Sequence, residues 1–189
     1  MSFAHEKLQF LKKPDKSGIK GIDREIMPLV NLINSKEEYF TTSSCSGRII
    51  LMPETGKKQE NVFLFVSHKA VSVKDIKDIL ESSEKSLTSP SPVYIKHEPC
   101  ILHVACKSLD SAIKLVSKAR QSGWKKSGII GIKPDKVMCE LVSTEILAAP
   151  IADKGKVIID NNYLKIAAKE CNKKLAQTRN KIKQLEKEL

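Results

Sequence analysis

The sequence is poor in several features that common functional classes require. Aromatic residues make up only 5% of the chain, which is few for a protein that stacks RNA bases on a row of rings. It contains neither GxGxxG nor GxxxxGK[ST], so the glycine motifs of a Rossmann nucleotide site and of a P-loop are missing. The five cysteines form no CxxC pair, which argues against a disulfide framework. We therefore expect reduced thiols in a protein of the cytoplasm.

Long apolar segments are also missing. The first residues, MSFAHEKLQFLKKPDK, carry scattered charges and lack the apolar core of a signal peptide. The longest purely apolar runs, such as VFLFV at 62–66, are too short to cross a bilayer. We expect no association with a membrane.

Positive charge is what the sequence has in excess. It holds 33 Lys and Arg against 22 Asp and Glu, which gives a net charge of +11 over 189 residues. Such a surplus favours an anionic partner, most often nucleic acid, although a solubilising surface gives the same composition. At 41% hydrophobic residues the chain can bury a core of one-domain size.

The hydrophobic periodicity predicts helices that alternate with pairs of strands. Pro28 is expected to kink or shorten the first helix. Asn61–His68 is apolar on both faces, which predicts a central strand. Pro134 and Asp135 predict a hairpin. The predicted helices are 20–36, 72–84, 108–122 and 161 onward, and the predicted strands are 40–45, 48–52, 61–68, 93–98, 100–107, 129–133 and 137–142.

This order predicts an α+β fold rather than a Rossmann fold. We expect a single domain over residues 1–189, a two-layer sandwich of one mixed, mostly antiparallel sheet with flanking helices. A long amphipathic C-terminal helix is expected to dock on the sheet, with its basic face in solvent.

The segment HEPCILHVAC resembles a zinc site, because two histidines and two cysteines follow one another at intervals of three. In a strand, however, His97 and His103 point to one face and Cys100 and Cys106 to the other. Four ligands on two faces do not share one ion, so we expect no metal.

The segment TTSSCSGR, residues 41–48, joins small polar side chains to an arginine. In a regular strand, Thr42, Ser44 and Ser46 would share one face. Gly47 would permit a turn or the approach of a ligand, and Arg48 offers a planar fork for a carboxylate or phosphate. Composition leaves a pocket wall and a surface loop equally open.

Several stretches together resemble the tRNA wybutosine-synthesizing protein 3 family over nearly the whole chain. They are FTTSSCSGRI (40–49), VSH (66–68), EP (98–99) with LHV (102–104), GW (123–124) with SGI (127–129), ST (143–144), Tyr163, and NK (172–173). His97, Cys100, Thr178 and Lys181 depart from the family pattern.

The resemblance implies a methyltransferase that uses S-adenosyl-L-methionine. Its substrate would be tRNA-Phe, modified in the anticodon loop at position 37. The family methylates N4 of 7-(3-amino-3-carboxypropyl)-4-demethylwyosine in the biosynthesis of wybutosine. Non-catalytic binding of RNA by the basic surface is the alternative, and a Cys45 thiol enzyme is a third hypothesis.

Within this reading the side chains receive the following roles. Ser44, Ser46, Gly47, Arg48, Ser127 and Gly128 are predicted to bind the donor, with Arg48 on an aminocarboxypropyl tail of the donor or of the modified base. His103 is favoured as the acid or base, and His68 and Ser67 are the other catalytic candidates. Trp124 is predicted to stack on the base, and Lys125, Lys126, Asn172 and Lys173 to contact RNA. We expect a monomer.

Overall fold

The computed structural model describes residues 2–12, 22–54, 63–82 and 91–189. The chain forms two compact units. The first comprises Met1–Ser46, Pro99–Thr144 and Thr178–Leu189, and the second comprises Gly47–Glu98 and Glu145–Gln177.

The described residues form helices and strands in the following order: α1 Phe3–Leu11, α2 Met27–Ser35, β1 Tyr39–Cys45, β2 Arg48–Pro53, β3 Phe65–Ser67, α3 Val73–Ser82, β4 Val93–Glu98, β5 Ile101–Cys106, α4 Leu109–Gln121, β6 Gly128–Lys133, β7 Lys136–Val142, β8 Leu147–Asp153, β9 Lys156–Val157 and α5 Asn161–Glu188.

The first unit is built on a four-stranded antiparallel sheet with the order β1-β5-β7-β6. Alternate residues of β5 and β7, such as Leu102, Val104 and Leu141, point into its main core. Residues of α2, α4 and the end of α5 complete that core. The opposite face carries a smaller cluster, in which Phe3 and Phe10 of α1 pack around Phe40.

The second unit contains a five-stranded antiparallel sheet with the order β3-β2-β4-β8-β9. One face packs against α3 and the first part of α5 through apolar residues that recur at strand and helix spacing. In α3, Ser72 and Asp75 cap the first turn reciprocally, as main-chain N–H groups of each bond to the other's side chain.

The structure confirms the α+β class and the long C-terminal helix. It corrects the expectation of one sheet, since the strands divide between two sheets and every described pairing is antiparallel. β1 and β2 follow each other in sequence, yet they pair with different partners.

Two boundaries also differ from the sequence prediction. β3 is an edge strand, so the central strand predicted at Asn61–His68 is wrong, and residues 61 and 62 lie outside the described residues. Pro28 lies in the first turn of α2, where a helix needs no N–H, so the helix begins at Met27 and is shorter than the predicted 20–36, of which residues 20 and 21 lie outside the described residues. The predicted shortening is confirmed, and α2 has no kink at Pro28. Among the described residues, no helix has the length and apolar character needed to cross a membrane.

Candidate active site

Four residues form a row across the sheet of the first unit. Ser43 is paired with His103, His103 with Glu140, and Glu140 with Gly128. Ser43 Oγ lies 2.7 Å from Nδ1 of His103, and Nε2 of His103 lies 2.9 Å from Oε1 of Glu140. Side chains from the two neighbouring strands therefore hold the imidazole at both nitrogens.

This row lies on the face opposite the main core. Leu102 and Val104 flank His103 in β5 and belong to that core, so the alternation of the strand turns the imidazole the other way. The side chains of His103 and Glu140 remain 35% and 37% exposed, and Ser43 is exposed. A fixed and accessible imidazole suits proton exchange with a bound substrate.

A β-bulge brings Ser43 to this position. The register of β1 against β5 shifts between Thr41 and Ser43, and Thr42 Oγ1 donates to the main-chain oxygen of His103 at 3.3 Å. Ser44 then pairs with Leu102 and so lies on the core side. The prediction that Thr42, Ser44 and Ser46 share one face assumed an unbroken alternation, and it is wrong at the bulge.

Ser46 and Gly47 fix the path of the chain. Ser46 is buried, and its hydroxyl donates to Oδ2 of Asp23. Gly47 has a φ of 89°, a conformation that glycine adopts without the steric cost of a Cβ atom.

Ser127 and Gly128 lie at the start of β6. Ser127 is buried, its hydroxyl accepts the N–H of Val142, and its carbonyl accepts Nε of Arg120. Gly128 lines a cleft of about 600 Å³ together with Ile113, Val116, Ser117, Arg120, Gln121 and Ile129. A Cβ atom at Gly128 would meet no atom within 4 Å, so this glycine leaves open space beside Glu140.

In the second unit, Arg48 and Glu98 are paired across β2 and β4. Arg48 Nε donates to Oε2 of Glu98 at 2.6 Å, and the guanidinium lies 4.8 Å from the ring centroid of Phe63. Both side chains are about one-third exposed. An accessible guanidinium beside an accessible carboxylate complements a zwitterionic amino-acid tail. The guanidinium can bind the carboxylate of the tail, and the carboxylate of Glu98 can bind its ammonium group.

Ser67 is the last residue of β3, in the second unit, and His68 follows it. Ser67 Oγ donates to the carbonyl of Lys69 at 2.8 Å and accepts its N–H at 3.0 Å, which stabilises a tight turn. Both ring nitrogens of His68 are buried.

Trp124 belongs to the core of the first unit. It is fully buried, and its Nε1 donates to the carbonyl of Lys181 at 3.1 Å. A ring in this place has no exposed face for a base, so the predicted stacking role of Trp124 is wrong in this structure.

The predicted RNA-contacting residues divide into exposed cations and one structural amide. Lys125 and Lys126 are exposed in the first unit. Lys173 is exposed in the second unit, where it lies 3.6 Å from Glu170. Asn172 Oδ1 accepts the N–H of Val71 at 2.9 Å and its Nδ2 donates to the carbonyl of Val71 at 2.8 Å. That amide ties α5 to the segment before α3, so we assign Asn172 a structural contact.

His97 is a buried histidine of the second unit. Its Nδ1 lies 2.9 Å from the carbonyl of Glu145, and Nε2 has no hydrogen-bond partner among the described residues. Burial lowers the pKa of His97, and the hydrogen bond to Glu145 opposes this shift. Within the described part of the chain, no three His, Cys, Asp or Glu residues are placed to hold a metal ion.

Sequence reasoning missed Ser43, Glu140 and Glu98. Each acquires its partner through strand pairing between distant segments, which a single sequence does not show. The available signals were the position of Ser43 within the segment TTSSCSGR, a candidate pocket wall, and the presence of Glu98 in one of the stretches that resemble the family.

Comparison with known proteins gives a family. The family model described as "Methyltransferase TYW3" matches residues 4–189. The tRNA wybutosine-synthesizing protein 3 homolog of Xenopus laevis is 36% identical, covering 96% of this chain and 72% of the relative.

Two archaeal relatives are each named tRNA(Phe) 7-((3-amino-3-carboxypropyl)-4-demethylwyosine(37)-N(4))-methyltransferase. The protein of Thermococcus sibiricus is 34% identical, covering 89% of this chain and 84% of the relative. The protein of Methanocaldococcus jannaschii is 33% identical, covering 95% of this chain and 92% of the relative.

A solved structure supports the fold. The PH1069 protein from Pyrococcus horikoshii superposes with a TM-score of 0.84 at 31% identity, covering 97% of this chain and 90% of that chain.

Proposed function

Since the chain belongs to the Methyltransferase TYW3 family, we propose that it methylates N4 of 7-(3-amino-3-carboxypropyl)-4-demethylwyosine at position 37 of tRNA-Phe. The observation that carries this proposal is the name shared by the two archaeal relatives, which are similar over 89% and 95% of the chain. The reaction would form part of wybutosine biosynthesis.

The electrostatics support a tRNA substrate. The net charge is +11, and Lys125, Lys126 and Lys173 are exposed at the surface, where a phosphate can reach them. Contacts between lysines and phosphates release counterions, so binding should weaken as salt increases. We propose that these cations contact the anticodon arm and that the protein acts as a monomer in the cytoplasm.

The methyl donor implied by the family is S-adenosyl-L-methionine, which supplies an electrophilic methyl group on a sulfonium and leaves as a neutral thioether. Its amino-acid tail fits the pair of charged side chains, Arg48 and Glu98, in the second unit. The guanidinium of Arg48 would bind the carboxylate of the tail, and the carboxylate of Glu98 would bind its ammonium group. The modified base carries the same tail, so this pair recognises an aminocarboxypropyl group from either molecule.

The cleft beside Gly128 fits a flat, apolar heterocycle. Its volume lies within the range of small-molecule sites, and Ile113, Val116 and Ile129 supply apolar walls. Ser127 positions the start of β6 through its buried hydrogen bond, and Gly128 leaves open space on the face of the sheet that carries Glu140.

His103 is the residue that we assign to proton transfer. Methyl transfer to an N–H group requires the loss of a proton, and an imidazole is suited to accept it near neutral pH. Its contacts with Ser43 and Glu140 fix the ring, and a fixed geometry supplies much of the rate enhancement in such a reaction.

The test is a methylation assay with purified protein, labelled S-adenosyl-L-methionine and tRNA-Phe that carries the unmethylated precursor base. We expect mass spectrometry to show one added methyl at the hypermodified base, and none on tRNA-Phe that is already methylated there. Binding of the precursor tRNA without methyl transfer, and without calorimetric heat from the donor, would instead indicate a non-catalytic RNA-binding protein.

A further inference from the structure

The side chains around His103 define where its hydrogen atoms lie. An ionised carboxylate only accepts hydrogen bonds, so the contact between Glu140 and Nε2 requires an N–H at Nε2. The neutral ring then has its lone pair at Nδ1, 2.7 Å from the hydroxyl of Ser43. Ser43 therefore donates to His103.

Ser43 is therefore the outermost member of the hydrogen-bonded series Ser43–His103–Glu140. Both ring nitrogens of His103 are already engaged, whereas Ser43 is exposed and its oxygen keeps lone pairs for another partner. Thr42 fixes the local backbone through its bond to the carbonyl of His103, and the bulge turns Ser43 toward the ring.

We propose that Ser43 is the catalytic residue that contacts the acceptor nitrogen, that His103 holds the proton, and that Glu140 positions the imidazole. This inference rests on the proposed methylation of an N–H group. As the N4–CH3 bond forms and the S–CH3 bond breaks, the N4 proton passes to Ser43 Oγ. The hydroxyl proton of Ser43 passes to Nδ1 of His103 in the same step.

The charges balance in this scheme. The positive charge of the sulfonium disappears when the thioether forms, and one positive charge appears on the imidazolium of His103. The carboxylate of Glu140 lies 2.9 Å from Nε2 and stabilises that cation. Ser43 ends the step as a neutral hydroxyl.

Three variants test the relay through kinetics. With saturating donor, Ser43→Ala should lower kcat about 100-fold or more while KM for the precursor tRNA changes less than about threefold, because the hydroxyl acts in proton transfer. Ser43→Thr should retain most of the activity, since it keeps the hydroxyl. Ser35→Ala is the matched control, because Ser35 is an exposed serine of the same unit that bonds locally to Leu32.

A spectroscopic readout tests the geometry without catalysis. The ¹⁵N shifts of the His103 ring, measured while the imidazole is neutral, should show a protonated Nε2 and an unprotonated Nδ1. Glu140→Leu should weaken this preference, whereas Ser43→Ala should preserve it. A ring protonated at Nδ1 would overturn the relay, and so would full activity of Ser43→Ala in an otherwise active enzyme. By contrast, a native protein that never methylates precursor tRNA would overturn the proposed function itself.

Discussion

Arg48 lies directly opposite Glu98 across β2 and β4, and its Nε donates to the carboxylate at 2.6 Å. The bond uses Nε, so it does not itself occupy the two terminal nitrogens of the guanidinium. Those nitrogens have the geometry that binds a carboxylate in a bidentate manner. The pair therefore presents charges of both signs to a ligand.

Arg48→Ala should lower methylation about 10- to 150-fold, which corresponds to a charge-assisted contact of about 1.5–3 kcal/mol. The two possible ligands give different results in binding experiments. If the tail belongs to the donor, calorimetric binding of S-adenosyl-L-methionine should weaken. If it belongs to the base, KM for precursor tRNA should rise and donor binding should stay unchanged.

Lys96→Ala is the control for the loss of an ion pair in the same sheet, because Lys96 of β4 pairs with Glu54. It should leave methylation within about twofold, as expected for a partly exposed pair of small energetic value. Equal turnover of Arg48→Ala and the native protein would remove Arg48 from the ligand site.

Gly128→Ala should fold normally, because the added methyl group meets no atom within 4 Å and the residue has no left-handed φ. Because Gly128 is paired with Glu140, the added methyl group would instead enter the open space on the face of His103 and Glu140, where we place the acceptor nitrogen. We expect an unchanged melting temperature together with at least a tenfold increase in KM for the donor or the tRNA. An unchanged KM for both would place the ligand elsewhere.

Trp124→Phe should destabilise the protein by about 1–3 kcal/mol, because it removes the hydrogen bond from the indole to the carbonyl of Lys181 and creates a small cavity. Urea unfolding followed by circular dichroism measures this change. Affinity for tRNA should remain as in the native protein, since the indole is inaccessible. Weaker tRNA binding at unchanged stability would restore the stacking role.

Lys125→Ala combined with Lys126→Ala should weaken tRNA binding and make it less sensitive to salt. Each phosphate contact contributes about 0.7–0.9 to the slope of log affinity against log salt, so the loss of two contacts should reduce the slope by about 1.5. The control is Lys74→Ala, because Lys74 is already paired with Asp78. An unchanged slope would show that neither lysine contacts phosphate.

His97 should make the protein less stable in mild acid. Burial lowers its pKa in the folded state below the ordinary value of 6.5. Below pH 6.5 the unfolded chain therefore binds more protons than the folded one, and stability falls by up to about 1.4 kcal/mol per pH unit until the folded pKa is reached.

His97→Asn offers the matched variant, because an asparagine amide replaces the Nδ1 donor to Glu145 and does not titrate. Urea midpoints measured between pH 7.5 and 5 should fall less steeply in this variant than in the native protein. Parallel curves would exclude His97 as the origin of the pH dependence.

The sequence predicted those elements whose signals are local. The spacing of Leu164, Cys171 and Leu175 indicated α5, and Pro134 with Asp135 indicated the hairpin of β6 and β7, where Lys133 pairs with Lys136. Both depend on contacts between residues close in sequence, which periodicity and turn chemistry describe.

The site depends on pairings that are distant in sequence. Adjacent strands usually pair, so β1 and β2 looked like neighbours, although they join different sheets. The bulge at Thr42 uses no glycine and therefore leaves no compositional mark. If the bulge is not taken into account, strict alternation places the wrong side chains of β1 next to His103. The contact between His103 and Glu140 can be recognised only when the register of β5 and β7 is known.

The buried thiols give each compact unit an internal reporter. Cys100, Cys106 and Cys139 lie in the core of the first unit, and Cys171 lies in the core of the second. Burial raises the pKa of Cys171 to about 12, which suppresses the reactive thiolate. Alkylation of these cysteines therefore requires transient opening of the fold, and mass spectrometry can measure the labelling rate of each cysteine separately. Matching labelling rates would mean that the two units open in one cooperative event, whereas distinct rates would reveal two independent steps.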